Sequence, residues 1–315
     1  MVPKPTEAKE VSSLMDLSTF IIYVFCLVDD RLKGKRIRQR GPAPKLSDSE
    51  VITMEIVGEF LGIDTDKGIY AHFRRHYAEW FPKLSEVHRT TFARQAANLW
   101  KVKEGLWQHL LEHELLLAQG VEEPLLVDSF PIAVCKQSRS YRCKLMRELS
   151  ERGRDTNLGR FLGMRAHVVI AWPGVIVRAE VCGADVHDLH LAERLLEGMG
   201  RGWVLADRNY WSPIVAEQLR ELEGGPTLMA RFKRKNETEK ERGLRWPRWL
   251  SAKRQKIESI FSQLVERYKM KAVWARDTWH FCSRFLRKIL SHTLAVVLCR
   301  REGVSPTRFW ELLTD

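Results

Sequence analysis

The chain has 315 residues, 44% of them hydrophobic and 29% charged, proportions that exclude a disordered or fibrous chain and suit a folded globular one. Lys and Arg number 52 against 40 Asp and Glu, a net charge of +12 that favours polyanionic partners, nucleic acid first among them. Six cysteines without a CxxC pair speak against a disulfide frame or a zinc ribbon. The apolar runs are far too short for the ~20 residues of a membrane span, and the polar, mixed-charge start is not a signal peptide, so the expected compartment is the cytoplasm.

Residues 20–28 are the most apolar stretch and read as a core-packed helix. Residues 31–45 then carry seven basic side chains (Arg31, Lys33, Lys35, Arg36, Arg38, Arg40, Lys45) and no acidic one, ending in Gly41-Pro42-Ala43-Pro44, which cannot continue a helix. This run is either a solvated linker or an arm that contacts phosphates, and counterion release favours the arm. Ser47-Asp48-Ser49-Glu50 has capping-box spacing before a helix with Val51, Met54, Ile56, Val57, Phe60 and Leu61 at helical positions. A second helix starts near Asp66 and stops before Pro82, and a third is predicted over residues 89–114. The short connections suit a helical DNA-binding module of the helix-turn-helix kind, over residues 1–120.

After residue 120 the period changes. Pro124-Leu125-Leu126-Val127-Asp128 is a short apolar run ending in a carboxylate. Residues 163–170 and 175–181 read as two strands joined by Trp172-Pro173-Gly174. A helix is predicted over residues 187–198, and Gly202-Trp203-Val204-Leu205-Ala206-Asp207 is a second buried strand ending in a carboxylate. A helix over 212–222, a short strand over 226–230 and a long helix over 251–270 follow. This is the element order of an α/β domain with a ribonuclease-H-like mixed sheet and flanking helices, expected over residues 121–302, with residues 303–315 as a C-terminal tail.

A carboxylate that ends an apolar strand is costly unless it binds a cation, and strand ends are where α/β proteins commonly place ligand groups. Asp128 and Asp207 share that context. Glu258 adds a third carboxylate on the long helix, with Arg254 one turn before it on the same face. Asp185, His187, Asp188 and His190 invite a zinc reading, but their place at a loop-to-helix boundary makes capping the expected role. His167, at alternating strand spacing, is either a support of the metal site or a satisfied core histidine. A second basic cluster, including Lys233, Arg234, Lys235 and Lys253 interleaved with Phe232, Trp246 and Trp249, precedes Glu258 and is expected to contact DNA. Arg139, Arg142, Lys144 and Arg147 form a weaker one.

The motifs Val127-Asp128-Ser129-Phe130-Pro131-Ile132, Gly163-Met164-Arg165-Ala166-His167, Ala206-Asp207-Arg208-Asn209-Tyr210 and Arg254-Gln255-Lys256-Ile257-Glu258-Ser259-Ile260-Phe261 resemble DDE transposases of bacterial insertion sequences. The nearest subgroup is the IS nine-eighty-two group, related to the IS four group. The likeness runs from about Leu46 to Leu298. It implies that Asp128, Asp207 and Glu258 are the metal ligands and catalytic residues, with Arg254 beside them and Arg165 among the DNA contacts. It further implies Mg²⁺, replaceable by Mn²⁺, binding of terminal inverted repeats, strand cleavage and strand transfer on double-stranded DNA, a homodimer when two ends are paired, and a place at the bacterial nucleoid. Ser251 and Val265 stand where the IS four group often has Tyr and Lys, and Asn209 where a Gly is usual. Two other functions fit the same residues: a nuclease of this fold without strand transfer, and a catalytically idle, transposon-derived DNA-binding protein.

Overall fold

The computed structural model describes residues 15–38, 40–116, 124–171, 174–200, 202–221, 225–230 and 248–313. It begins with helices. In α1 (Leu17–Leu32) Asp16 caps the first turn by accepting from the Thr19 amide, and Phe20, Ile21, Val24 and Val28 are buried. The expected capping box opens α2 (Asp48–Phe60): Ser47 Oγ accepts from Glu50 N, and Glu50 accepts from Ser47 N. Thr65 caps α3 (Asp66–His76). The single helix expected over 89–114 is divided into α4 (Arg89–Asn98) and α5 (Trp100–Leu110), because Leu99 leaves helical geometry at ψ 11°.

The sheet follows as β1 (Leu125–Lys136), β2 (Glu151–Asp155), β3 (Gly159–Ala171), β4 (Val175–Gly183), β5 (Trp203–Ala206) and β6 (Thr227–Ala230). β1 pairs antiparallel with β3 and parallel with β5, which continues parallel to β6. Both β2 and β4 pair with β3, end to end along the same edge. With α6 (Leu189–Leu196), α7 (Pro213–Glu221) and α8 (Arg248–Glu266) between and after the strands, the domain is the mixed α/β, ribonuclease-H-like arrangement the element order predicts. Two details differ. β1 does not end at Asp128 but runs on for eight residues, since Phe130 and Ile132 continue its buried side. β2 was not expected, because Glu151-Arg152-Gly153-Arg154-Asp155 offers no apolar alternation.

Packing joins the elements on either side of residue 120. A last helix, α9 (Thr278–Arg301), lies against α2, α4 and α5 and also reaches β4. The C-terminal tail packs on the same body: Phe309 and Leu312 are buried, and Met15 bridges to Leu313. One apolar core therefore runs from α1 and α2 through α9 to one side of the sheet, and a second lies under α6 and α7 on the other side.

Charged groups pin α9 inside this core. Arg287 Nε donates to Glu59 (2.6 Å) and its Nη1 pairs with Asp66 and Glu55. Lys288 donates to Glu59 (2.9 Å), and Lys103 of α5 donates to Glu55 (2.6 Å) and Ser283 (2.7 Å). Three buried carboxylates thus meet three buried cations, and Arg284 joins Asp66 from the rim. Burying Asp66 raises its pKa, but Arg287 and Arg284 outweigh that and hold it down at about 2.

Removing one partner of such a network strands the rest. Arg287→Ala is expected to destabilise the fold by about 3–5 kcal/mol, against about 1 kcal/mol or less for the exposed Lys45–Glu86 pair removed by Lys45→Ala. Urea unfolding of the two variants checks this, and equal midpoints would refute it.

Candidate active site

Parallel pairing of β1 with β5 matches Leu125 to Val204, Leu126 to Leu205 and Val127 to Ala206. The next residue on each chain is an aspartate, so Asp128 and Asp207 leave the last parallel rung side by side, on backbones about 4.8 Å apart. By strand alternation Asp128 falls on the same side of β1 as Leu126 and Phe130. That side faces α8. Two aromatic contacts seat the helix there: Trp249 on Trp203 at the start of β5 (4.9 Å between ring centres) and Phe261 on Phe130 (5.5 Å). Arg254 and Glu258 lie seven and three residues before Phe261, on the same helical face.

Asp128 is a strained acid. Burial pushes its pKa up to about 6, and the nearby carboxylates of Asp207 and Asp188 add to the rise. The Ser129 amide (2.7 Å from Asp128 Oδ1) and the Arg254 guanidinium offset only part of it. A partly buried carboxylate short of positive charge, beside a second carboxylate, is a donor set that fits a hard divalent cation.

Ser129 points to the other side of β1, where a polar network surrounds Asp188. Ser129 Oγ donates to Asp188 (3.2 Å) and accepts from Arg165 Nη1 (3.2 Å), whose Nη2 donates to the Arg154 carbonyl (3.2 Å). His167, across from Ser129 in the sheet, shares a 2.7 Å hydrogen bond with the Tyr210 hydroxyl. Burial, aided by Arg165 and Arg194, lowers the His167 pKa to about 4, so its ring is neutral. It is a satisfied core histidine that also backs the site. Asp128, Ser129, Arg154, Arg165, Asp188, Asp207 and Asn209 line one open cavity of about 600 Å³.

The sequence-predicted residues are distributed as follows. Asp128 and Asp207 come together, with Arg165 on the same cavity. Glu258 lies on the facing helix, half-exposed, where it accepts from Arg254 Nε at 2.6 Å, and it does not line the cavity. Among the described residues no group of three or more His, Cys, Asp and Glu has the geometry of a metal site. The zinc reading of residues 185–190 therefore has no support in the described residues. The capping expectation is corrected in part: His187 Nδ1 accepts from Leu189 N, while Asp188 makes no capping bond and faces the cavity. Asp188 is the site residue that sequence reasoning missed.

Arg31, Lys33, Lys35, Arg36 and Arg40 are exposed, Arg31 in the last turn of α1 and the others after it. Arg38 is held instead by a two-pronged pair with Asp48 at the start of α2. Lys253 lies on α8, and Lys233, Arg234 and Lys235 fall outside the described residues. No helix among the described residues is long and apolar enough to cross a membrane.

The sequence model of a family described as Transposase DDE domain matches residues 119–277, from just before β1 to the end of the loop after α8. No curated protein and no solved structure matches the chain.

The raised pKa of Asp128 has a sign that can be tested. The folded state holds this proton more tightly than the unfolded chain does. The contribution of Asp128 to stability is therefore fully present below pH 3.8 and is lost as pH rises through the window from 3.8 to about 6. Asp128→Asn should be more stable than the parent at pH 7.5, by roughly 2 kcal/mol after allowing for solvent screening, and the gain should vanish near pH 4. Divalent cation should raise the melting temperature of the parent more than that of the variant. Thermal melts at two pH values, with and without Mg²⁺, decide it. A variant less stable than the parent at pH 7.5 would refute the strain.

Proposed function

The chain belongs to the transposase DDE-domain family, and on that premise we propose that it is the transposase of a bacterial insertion sequence, binding the terminal inverted repeats and carrying out Mg²⁺-dependent strand cleavage and strand transfer. One observation carries the reading: two aspartates released side by side from the last rung of a parallel strand pair, one of them partly buried without enough positive charge. DDE transposases work with divalent cations, and a bound pair of ions would supply activation of the attacking oxygen and neutralisation of the leaving one.

In this reading Asp128 and Asp207 hold the metal, and Glu258 is the third ligand. Arg254 is then the cation that exchanges partners. It bonds Glu258 and partly offsets the charge of Asp128, and with metal bound it would be available to meet DNA phosphate. Arg165, fixed by Ser129 and the Arg154 carbonyl, presents its charge to a strand crossing the cavity. Arg31, Lys33, Lys35, Arg36 and Arg40 serve as phosphate contacts that position the helical module, together with Lys233, Arg234, Lys235 and Lys253, while Arg38 braces the arm against α2. Two ends must be joined, so the working form is a homodimer on paired ends, at the nucleoid. The pairing of Glu258 with Arg254, away from the two aspartates, also favours a second reading, an idle DNA-binding descendant of a transposase.

One experiment separates the two. Purified protein with Mg²⁺ and DNA carrying the element's ends should nick and join, and EDTA should stop it. Asp128→Ala, Asp207→Ala and Glu258→Ala should each cut the nicking rate by at least about 100-fold, the several kcal/mol expected of a lost metal ligand, with end binding retained. Near-normal nicking by Asp207→Ala would sink the metal assignment. A parent protein that binds the ends but never nicks them is the idle descendant.

A further inference from the structure

The strand pair β2–β3 is the feature that neither the sequence motifs nor the carboxylate cavity explains. Its turn is closed by the Asp155 side chain, which accepts from the Asn157 and Leu158 amides (2.9 and 3.1 Å), and by Gly159 at φ +69°. Leu158 stands at the tip, 51% exposed. The two sides of this ribbon are unlike. One side carries Glu151, Gly153 and Phe161. It lies flat on the domain: a Cβ on Gly153 would come within 2.6 Å of Ala184 Cβ and 3.1 Å of the Phe161 ring. The other side carries Arg152, Arg154 and Arg160, all exposed, with Leu162 opposite Arg152.

That outer side bears three positive charges and no negative one. Arg154 and Arg160 face each other directly in the register, an arrangement of like charges that destabilises a strand pair on its own. Among the described residues none of the three arginines makes an ion pair, and the one polar contact from this stretch to the site is the Arg154 carbonyl accepting from Arg165. The side also faces the right way. By strand alternation Arg160 shares its side of β3 with Met164, Ala166 and Val168, the partners of Ile132, Phe130 and Asp128 on β1. Arg154 and the turn residues Asp155, Thr156 and Gly159 line the same cavity as Asp128 and Asp207.

We propose that the β2–β3 ribbon is a nucleic-acid clamp, with Arg152, Arg154 and Arg160 binding phosphates of the DNA strand that crosses the carboxylate cavity. A polyanion removes the repulsion between the facing arginines and brings its own counter-charge to the rim of an acidic pocket, where carboxylates alone would repel it. A two-stranded ribbon also fits the width of a DNA groove, with Leu158 leading. The clamp deepens the transposase reading but does not need the chemistry, because phosphate binding by the arginines requires neither metal nor cleavage.

The test is therefore run without metal. Affinity of the full chain for a labelled duplex of arbitrary sequence is measured in EDTA at several salt concentrations. Three proteins are compared: the parent, Arg154→Ala/Arg160→Ala and Arg154→Lys/Arg160→Lys. The alanine pair should bind more weakly and flatten the plot of log affinity against log salt by about 1.8, two phosphate contacts at about 0.9 each. The lysine pair keeps the charges and should restore most of the slope, which a merely misfolded ribbon would not. Equal slopes for all three proteins overturn the clamp, whatever the nicking assay shows. A slope lost only in the alanine pair, with a parent that never nicks DNA in Mg²⁺, keeps the clamp and removes the transposase.

Discussion

Three parallel residue pairs between β1 and β5 bring the two aspartates together. Leu125, Leu126 and Val127 match Val204, Leu205 and Ala206, and these six side chains are buried because helices cover both sides of the sheet. Backbone hydrogen bonding and apolar packing settle the register, and Asp128 and Asp207 have no choice but to emerge together. Carboxylates this close repel, and burial on the α8 side adds to the cost. The energy that holds them comes from the apolar strands behind them, and it is what a cation would release.

A second coupling explains why the helical part and the sheet form one body. α9 follows the catalytic elements in the chain but packs among α2, α4 and α5, tied by Arg287 and Lys288 to Glu55, Glu59 and Asp66. From the same group of helices, Trp107 of α5 donates its indole N–H to the Ile176 carbonyl on β4. The helices that carry the basic arm are thus fixed relative to the sheet that carries the aspartates. A DNA end gripped by one would meet the other at a set distance, without a flexible linker between them. Burying a network of ion pairs is a poor way to gain stability but a good way to specify which helix faces meet.

How much of this was legible follows from where the energy lies. β1, β3, β4, β5 and β6 were readable because their burial is encoded locally in short apolar runs. Asp128 and Asp207 were readable as the charges that interrupt two of them. α2 was announced by Ser47 and Glu50. The rest depends on partners far away in the chain. Nothing local marks Arg287 and Lys288 as core residues, since the acids that neutralise them come more than 200 positions earlier. β2 exists because Gly153 lets its backbone lie on Ala184, and five residues with four charges do not read as a strand. Asp188 looked like a cap because it begins a helix; only the fold turns it towards Ser129 and Arg165.

Arg254 stands between the two halves of the site. Among the described residues Arg254 is the cation that offsets Asp128, and at the same time it holds Glu258 through an i, i+4 pair on the sheet-facing side of α8, where Arg254 is largely covered and Glu258 half-exposed. A partly exposed pair of this kind contributes only a few tenths of a kcal/mol, so it is easily exchanged. The strain at Asp128 is larger, on the order of one to three kcal/mol. The balance therefore tilts towards any rearrangement that places more positive charge at Asp128 at the expense of the Arg254–Glu258 bond. Were a divalent cation held by Asp128 and Asp207, with Glu258 as the third carboxylate of the proposed reading, it would supply that charge and leave Arg254 available beside a cavity already rimmed by Arg154 and Arg165. Loading the site would then convert an acidic pocket with a tethered arginine into a positive surface shaped for a phosphodiester, so that metal and DNA binding reinforce each other.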